Sequence, residues 1–450
     1  MTQTESISSR PATAASDNGR FSPPRTALSR TTSRMWAAIS THGAVDFFAF
    51  LIVPLMSVLE GRVHMSHAQG ALIIASGSVA SGVIQPIVAL LSDRFDTRWL
   101  GTLGFFIAVC ALGLLGSAET FGQLLFIQVI ASIGLGAFHP VCAAAVGQLA
   151  GPRRSLAVAY FYCAGMLGGM LGNITAPGYV SFFGRLSAGP EADAATVIVR
   201  GLIALRWLII PGLASVALLA WAIHSAPHKH HGAAIEHAQL EPAERHARWR
   251  AIGILYAANV LRFMTDICLI QLIIRWTEQT VLTRSGALEL TAALRTEAIH
   301  VNGPMQAAKQ LGMGVGGVVL GYMFTHKHEK GILFWVPLLG ALFIVLMPFA
   351  PGDSWLALGL CAIAGIGYAG VIPITISLAQ RLLPHRTGLA SGLMMGGAWA
   401  LSSVGPPLIQ ALYSRVGLRW SFAAVACLLV IASFLALGLR GQLIERVSKR

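Results

Sequence analysis

The chain has 450 residues, of which 55% are hydrophobic and only 11% charged, against about 25% charged in a soluble domain. That shortfall, with a mean hydropathy of +0.67, excludes an ordinary water-soluble globular protein, because most of the surface has to face lipid. The formal charge is +13, but the basic residues fall in short clusters between long apolar runs, the pattern of loops beside a membrane rather than of a nucleic-acid surface.

Residues 1–34 are rich in Ser, Thr, Pro and Arg and lack an apolar core before a cleavage site, so they read as a disordered cytoplasmic tail. Apolar runs long enough for a bilayer then start near Trp36, Gly70, Trp99, Phe121, Leu156 and Gly201. The polar, His-rich stretch 225–250 follows. A second set of runs starts near Ala251, Gly303, Gly331, Ser354, Thr387 and Leu418, and residues 441–450 form a short tail. This pattern predicts an all-α integral membrane protein of about twelve transmembrane helices in two six-helix pseudo-symmetric halves, 35–224 and 251–440, joined by a cytoplasmic central loop.

Alternate connections are basic. One set, counted with both termini, carries 21 Lys and Arg, among them Arg94, Arg98, Arg153, Arg154, Lys229, Arg245, Arg248, Arg250, Lys327, Lys330, Arg381 and Arg386; the other carries eight, Arg62, Arg185, Arg200, Arg275, Arg284, Arg295, Arg415 and Arg419. The positive-inside rule then puts both termini in the cytoplasm of a multi-pass protein of the inner (plasma) membrane. The stretch from Arg275 to Asn302 is expected to be the longest outer loop, with Leu288, Leu290 and Leu294 favouring an interfacial helix. The cysteines all lie in apolar runs without a CxxC pair and read as packing residues. No Walker sequence is present, so nothing points to ATP-driven pumping. His228, Lys229, His230 and His231 have no Cys or carboxylate set to complete a metal site and read as a solvated loop. Neither a metal nor a cofactor is expected, and no nucleophile–base set argues for an enzyme.

Ionisable residues inside apolar runs are costly and mark function. His42 and Asp46 share one helix face at i, i+4, and Asp46, His42 and His139 are the candidate proton-coupling set, since imidazole changes charge near neutral pH; the alternative for the two histidines is a hydrogen bond to a backbone carbonyl with no part in transport. The substrate-binding candidates are Arg262, Asp266 and Lys309, with Asn259, Gln306, Tyr160 and Trp399 beside them; Tyr162, Asn173, Gln271 and Tyr368 are weaker candidates. Arg262 and Asp266 also have i, i+4 spacing, so a plain structural ion pair is the alternative for them. Glycines repeat at helix spacing at 165, 168, 169 and 172, at 312, 316, 317 and 321, and at 388, 392 and 396, which lets helices approach closely.

The loop Ala89-Leu90-Leu91-Ser92-Asp93-Arg94-Phe95-Asp96-Thr97-Arg98 resembles the loop signature of the major facilitator superfamily, with Asp93 and Arg94 matching and Ala89 and Asp96 at positions where glycine is usual. The resemblance implies that Asp93 and Arg94 form a gating loop. A narrower resemblance joins Ser40-Thr41-His42-Gly43-Ala44-Val45-Asp46, the pair Gln85-Pro86 and the triplet Phe138-His139-Pro140. Together these are similar to the fosmidomycin-resistance branch over about the first 180 residues. That branch implies proton-coupled efflux of a small anionic or drug-like solute by alternating access, as an antiporter linked to drug resistance. Val141 stands where those relatives usually carry Glu, which leaves an organic-acid importer or uniporter on the same fold open. A transporter-like scaffold or sensor, binding partners through its tail and loops, is the alternative from another class. The expected partners are a small-molecule solute, protons and membrane lipid, with no nucleic acid, and the expected state is a monomer.

Overall fold

A computed structural model describes residues 25–92, 95–151, 154–224, 241–323 and 328–448. Among them every regular element is helical. The first half comprises α1 (Arg25–Ala49), α2 (Ile52–Arg62), α3 (His67–Ser92), α4 (Arg98–Gly113), α5 (Phe121–Ala150), α6 (Arg154–Ala188), α7 (Ala194–Ala204) and α8 (Ile209–Ile223). The second comprises α9 (Pro242–Ser285), α10 (Ala292–Met323), α11 (Glu329–Leu346), α12 (Trp355–Ala369), α13 (Ile372–Leu382), α14 (Thr387–Gly392), α15 (Ala398–Ser402) and α16 (Gly405–Leu437), followed by the short amphipathic α17 (Gly441–Ser448). Several passes are broken helices: α1 with α2, α7 with α8, α12 with α13, and α14 with α15 and the start of α16. The rest of α16 is a separate pass, because Gly417 takes a φ of 76° in its middle, a left-handed conformation that glycine adopts without a Cβ penalty. The result is the expected twelve passes, with helix ends alternating between one face that carries the start of α1 and α17 and a far face.

Local chemistry explains the breaks. Pro54 lacks the N–H that would bond the carbonyl of Phe50, so α1 yields to α2 between Ala49 and Ile52. At the far face Thr120, Asp193 and Ser354 cap their helices by accepting from the backbone N–H of Gln123, Thr196 and Ala357 at 3.3, 2.9 and 3.1 Å. Gly286 ends α9 in a left-handed turn, with a φ of 67°. Helix also occupies stretches expected to be irregular. Residues 25–34 begin α1 instead of ending a disordered tail, 242–250 begin α9 instead of ending the central loop, and 441–448 form α17 with Leu443, Ile444 and Val447 buried. The anticipated outer loop from Arg275 to Asn302 shrinks to residues 286–291, because α9 runs to Ser285 and α10 starts at Ala292. No separate interfacial helix forms there: Leu288 and Leu290 lie in that turn and Leu294 lies in α10. Asp93, Arg94 and the His228–His231 stretch lie outside the described residues.

The halves meet along two seams. On one, α6 packs against α10: a Cβ at Gly314 would lie 2.9 Å from that of Met166, and one at Gly317 would lie 2.9 Å from the Tyr162 ring. On the other, α3 packs against α14, α15 and the start of α16: a Cβ at Gly82 would lie 2.7 Å from the Gly396 carbonyl oxygen, so the backbones touch. A π-helical turn, Leu393–Gly397, lies on this second seam between α14 and α15. Two side chains of α9 reach it: Asn259 Nδ2 donates to the Met394 carbonyl at 2.9 Å and the Tyr256 hydroxyl to the Gly397 carbonyl at 3.1 Å. All six cysteines are free.

Candidate functional site

Three helices bring the first cluster together at mid-depth of the first half. Asp46 lies on α1, one turn from His42; His139 comes from α5, immediately before Pro140. His42 Nε2 lies 3.5 Å from Asp46 Oδ2, and His139 Nε2 lies 3.3 Å from Asp46 Oδ1. The other ring nitrogen of each histidine is tied to the main chain. His42 Nδ1 donates to the Phe161 carbonyl at 2.6 Å and His139 Nδ1 to the Leu135 carbonyl at 2.7 Å. The Phe161 ring stacks on His42 with centroids 3.8 Å apart. Gly165 of α6 is required beside them, since a side chain there would collide with His42 and with Asp46 Oδ2.

These contacts fix the tautomers. A carbonyl oxygen only accepts, so both Nδ1 atoms carry hydrogen. Neutral rings would then aim two bare Nε2 lone pairs at a carboxylate that also has only lone pairs to offer. The Asp46 contacts become hydrogen bonds only when a proton sits on the carboxylate or on an Nε2. A proton shared between Asp46 and one Nε2 would satisfy one of these contacts. Two imidazoles and a carboxylate also suit a transition metal by residue type, and their ligand atoms lie within 4.8 Å of one another. The aromatic rings of Phe138 and Phe161 flank His42 instead of a fourth donor, which favours a proton over a metal.

The second cluster sits in the other half. Asp266 of α9 accepts from Lys309 Nζ of α10 at 2.7 Å and from the Tyr368 hydroxyl of α12 at 2.8 Å, all on the same Oδ1. Asp266, Lys309 and Tyr368 are buried. Lys309 is thus not drawn out to an interface. The i, i+4 pair of Arg262 with Asp266 does not form, because Lys309 and Tyr368 take the carboxylate first. Arg262 is held by neutral oxygens: Asn259 Oδ1 at 3.2 Å, Thr375 Oγ1 at 3.3 Å and the Leu333 carbonyl at 3.3 Å. Among the described residues no carboxylate lies within ion-pair distance of it, and its Nε has no partner. Gln306 donates to the Ile270 carbonyl at 3.1 Å and to Asn302 at 3.3 Å, tying α10 to α9.

The remaining candidates divide. Trp399 packs edge-on against Phe263, with centroids 5.0 Å apart, and touches the apolar cores of both halves. Tyr160 is 43% exposed and lies against Trp36, away from both clusters. Its neighbour two residues on is the better placed. The Tyr162 hydroxyl is buried without a partner on the α6–α10 seam, within electrostatic reach of both Asp46 and Asp266. Sequence reasoning missed a third cluster altogether. Glu60 of α2, His67 of α3, and Arg275 and Glu278 of α9 meet at the far face, where Arg275, expected as a loop charge, is buried. The available signal was a lone Glu60 at the end of an apolar run and the Arg275/Glu278 pair at i, i+3.

The profile of the Major Facilitator Superfamily matches residues 38–294 and 298–448. The chain belongs to the Major Facilitator Superfamily. Members of this superfamily are transporters rather than enzymes. The chain is 24% identical over 411 residues to the fosmidomycin resistance protein of Escherichia coli (strain K12), covering 90% of this chain and 92% of that one. The likeness thus extends well past the first 180 residues. An uncharacterised transporter of the superfamily, YfnC of Bacillus subtilis (strain 168), is 24% identical over 399 residues, covering 87% and 88% of the two chains. In fold, the chain matches a crystal structure of a bacterial homologue of the human lysosomal transporter Spinster, with a TM-score of 0.68, 16% identity, and coverage of 93% and 98%.

Proposed function

We propose that this superfamily member is a proton-coupled secondary transporter that exports a small organic anion from the cytoplasm by alternating access. The carrying observation is the Asp46 cluster, in which both histidines are pinned through Nδ1 and the carboxylate contacts need a proton. Losing that proton turns the hydrogen bond it makes into a second lone-pair repulsion beside the α6–α10 seam, which is the kind of local change that rearranges packed halves. The anion preference follows from Arg262, a buried guanidinium whose neighbours are all neutral, and from Lys309, whose single carboxylate a competing anion can replace. The face that carries the start of α1 and α17 is the cytoplasmic one, because the richer share of Lys and Arg lies there, and the membrane is the inner (plasma) membrane. Efflux is supported by the likeness to the fosmidomycin resistance protein.

An importer or uniporter would use the same clusters. Val141 favours it, being an apolar residue packed against Gly101 of α4. Proteoliposomes with an imposed pH gradient separate these readings, with fosmidomycin as the first solute. Export coupling requires solute flux against the proton flux, and Asp46→Asn is expected to abolish the gradient-driven part. Undiminished gradient-driven flux in Asp46→Asn would remove Asp46 from the coupling role.

A further inference from the structure

The far-face cluster is divided between the halves in a way that makes its charge state matter. Glu60 and His67 belong to the first half, Arg275 and Glu278 to the second. Glu60, Arg275 and Glu278 are buried, while the His67 side chain is 47% exposed. Arg275 Nη1 donates to Glu60 Oε2 at 3.1 Å and to Glu278 Oε2 at 2.6 Å, and Nη2 donates to Glu60 Oε1. The Arg275–Glu60 pair is therefore a buried ionic bond from one half to the other.

His67 Nδ1 stands between these partners. It lies 2.8 Å from Glu60 Oε2 and also against Arg275 Nη1. A guanidinium can only donate and a carboxylate can only accept. With a bare lone pair Nδ1 serves Arg275; with a proton it serves Glu60 and turns an N–H toward the guanidinium. It cannot do both.

The charges on each half complete the argument. If the halves part while His67 is neutral, Arg275 leaves with Glu278 and Glu60 is left without a cation, the costly outcome for a carboxylate that was buried. If His67 is charged, each half leaves with a balanced pair, Glu60 with His67 and Glu278 with Arg275. Neighbouring cations do not replace His67. Arg62 of α2 donates to the Ala118 carbonyl at 3.0 Å, and Arg295 of α10 to the Ser57 carbonyl at 2.8 Å. Tyr413 of α16, near Arg275 and Glu278, is the other ionisable neighbour and supplies no positive charge.

We propose that His67, together with Glu60 and Glu278, is a second proton-binding site, at the far face and apart from Asp46, and that a proton bound there releases the Arg275–Glu60 bond and lets the far face open. That the far face is the outside of the cell rests on the orientation given above; the proton site itself does not.

The test needs no solute. Spin labels at Glu119→Cys and Leu288→Cys, in a background with the native cysteines replaced, report the far-face distance of the full chain in nanodiscs, where the same pH bathes both faces. Lowering the pH from about 7.5 to about 5.5 is expected to raise the ratio of long to short distances roughly tenfold. His67→Gln should hold the short distance at both pH values, and His67→Lys, permanently charged, should show the long one at both. Glu60→Gln, which removes the cross-half bond, should also be long at both. Because labels sense the conformation directly, a failed transport assay leaves this result untouched. A wild-type distance that ignores pH, or a His67→Gln variant that keeps the full shift, overturns the proposal.

Discussion

The buried pair of Asp266 and Lys309 offers a measurement in which stability and transport should separate. Removing one member leaves an unpaired charge where both side chains are almost wholly buried, and breaking a buried pair in this way costs about 3–5 kcal/mol. In Asp266→Asn the Tyr368 hydroxyl still has an amide oxygen to donate to, so the lower end, about 3 kcal/mol, is expected. That corresponds to more than about a hundredfold in the ratio of folded to unfolded protein. Lys309→Met leaves the carboxylate with the Tyr368 hydroxyl alone and should cost about as much. The double variant Asp266→Asn/Lys309→Met removes both charges and should recover most of the loss, since an apolar replacement of a buried pair is often neutral. Equilibrium denaturation in detergent, read by tryptophan fluorescence, gives the cycle. Transport should not recover with it: any variant lacking Lys309 is expected to lose anion transport. A double variant no more stable than Lys309→Met alone would refute the pairing energetics, and one that transports at the wild-type rate would remove Lys309 from the solute's path.

Two further outcomes follow from single groups. Tyr162→Phe deletes a buried hydroxyl that has no partner, so stability should hold or rise, by up to about 1 kcal/mol, while solute affinity falls about tenfold if the hydroxyl meets the solute; unchanged binding in a titration with fosmidomycin would take Tyr162 out of the site. Asp193, at the exposed turn before α7, is held below the usual carboxylate range by the backbone N–H of Thr196. Because its folded value is depressed, its contribution is present above the ordinary carboxylate range and lost as pH falls through the folded value, so the protection of the Thr196 amide relative to its intrinsic exchange rate should fall on acidification in the wild type but not in Asp193→Asn, and equal pH dependence of protection in both would discount the cap.

How much of this was legible in the sequence depended on distance along the chain. Hydrophobic run length gave the passes, because each is a local property. His42 and Asp46 could be paired from i, i+4 spacing, and His139 joined them through its place before Pro140. The same rule misled for Arg262 and Asp266. Spacing shows which residues share a helix face, but Lys309 and Tyr368, from two other helices, outcompeted the local partner. Tyr160 and Tyr162 are two positions apart on α6, about 200° around the helix, and nothing local says which side meets the partner half. Arg275 looked like a loop charge because Trp276, Glu278 and Gln279 dilute the run around it, whereas α9 continues straight through to Ser285. Glu60 carried a signal in itself, but its partner lies 215 residues on.

The π-helical turn at Leu393–Gly397 joins the Arg262 site to the second seam between the halves. Asn259 uses its oxygen to hold Arg262 and its nitrogen to hold the Met394 carbonyl. Gly396, two residues on, is packed against Gly82, Gln85 and Pro86 of the opposite half. One small amide is thus the rod between a buried cation and the surface along which the two halves touch. If Arg262 takes the solute as proposed, a guest that turned its guanidinium would pull at one end of that rod, and the contact between the halves would feel it within two side chains.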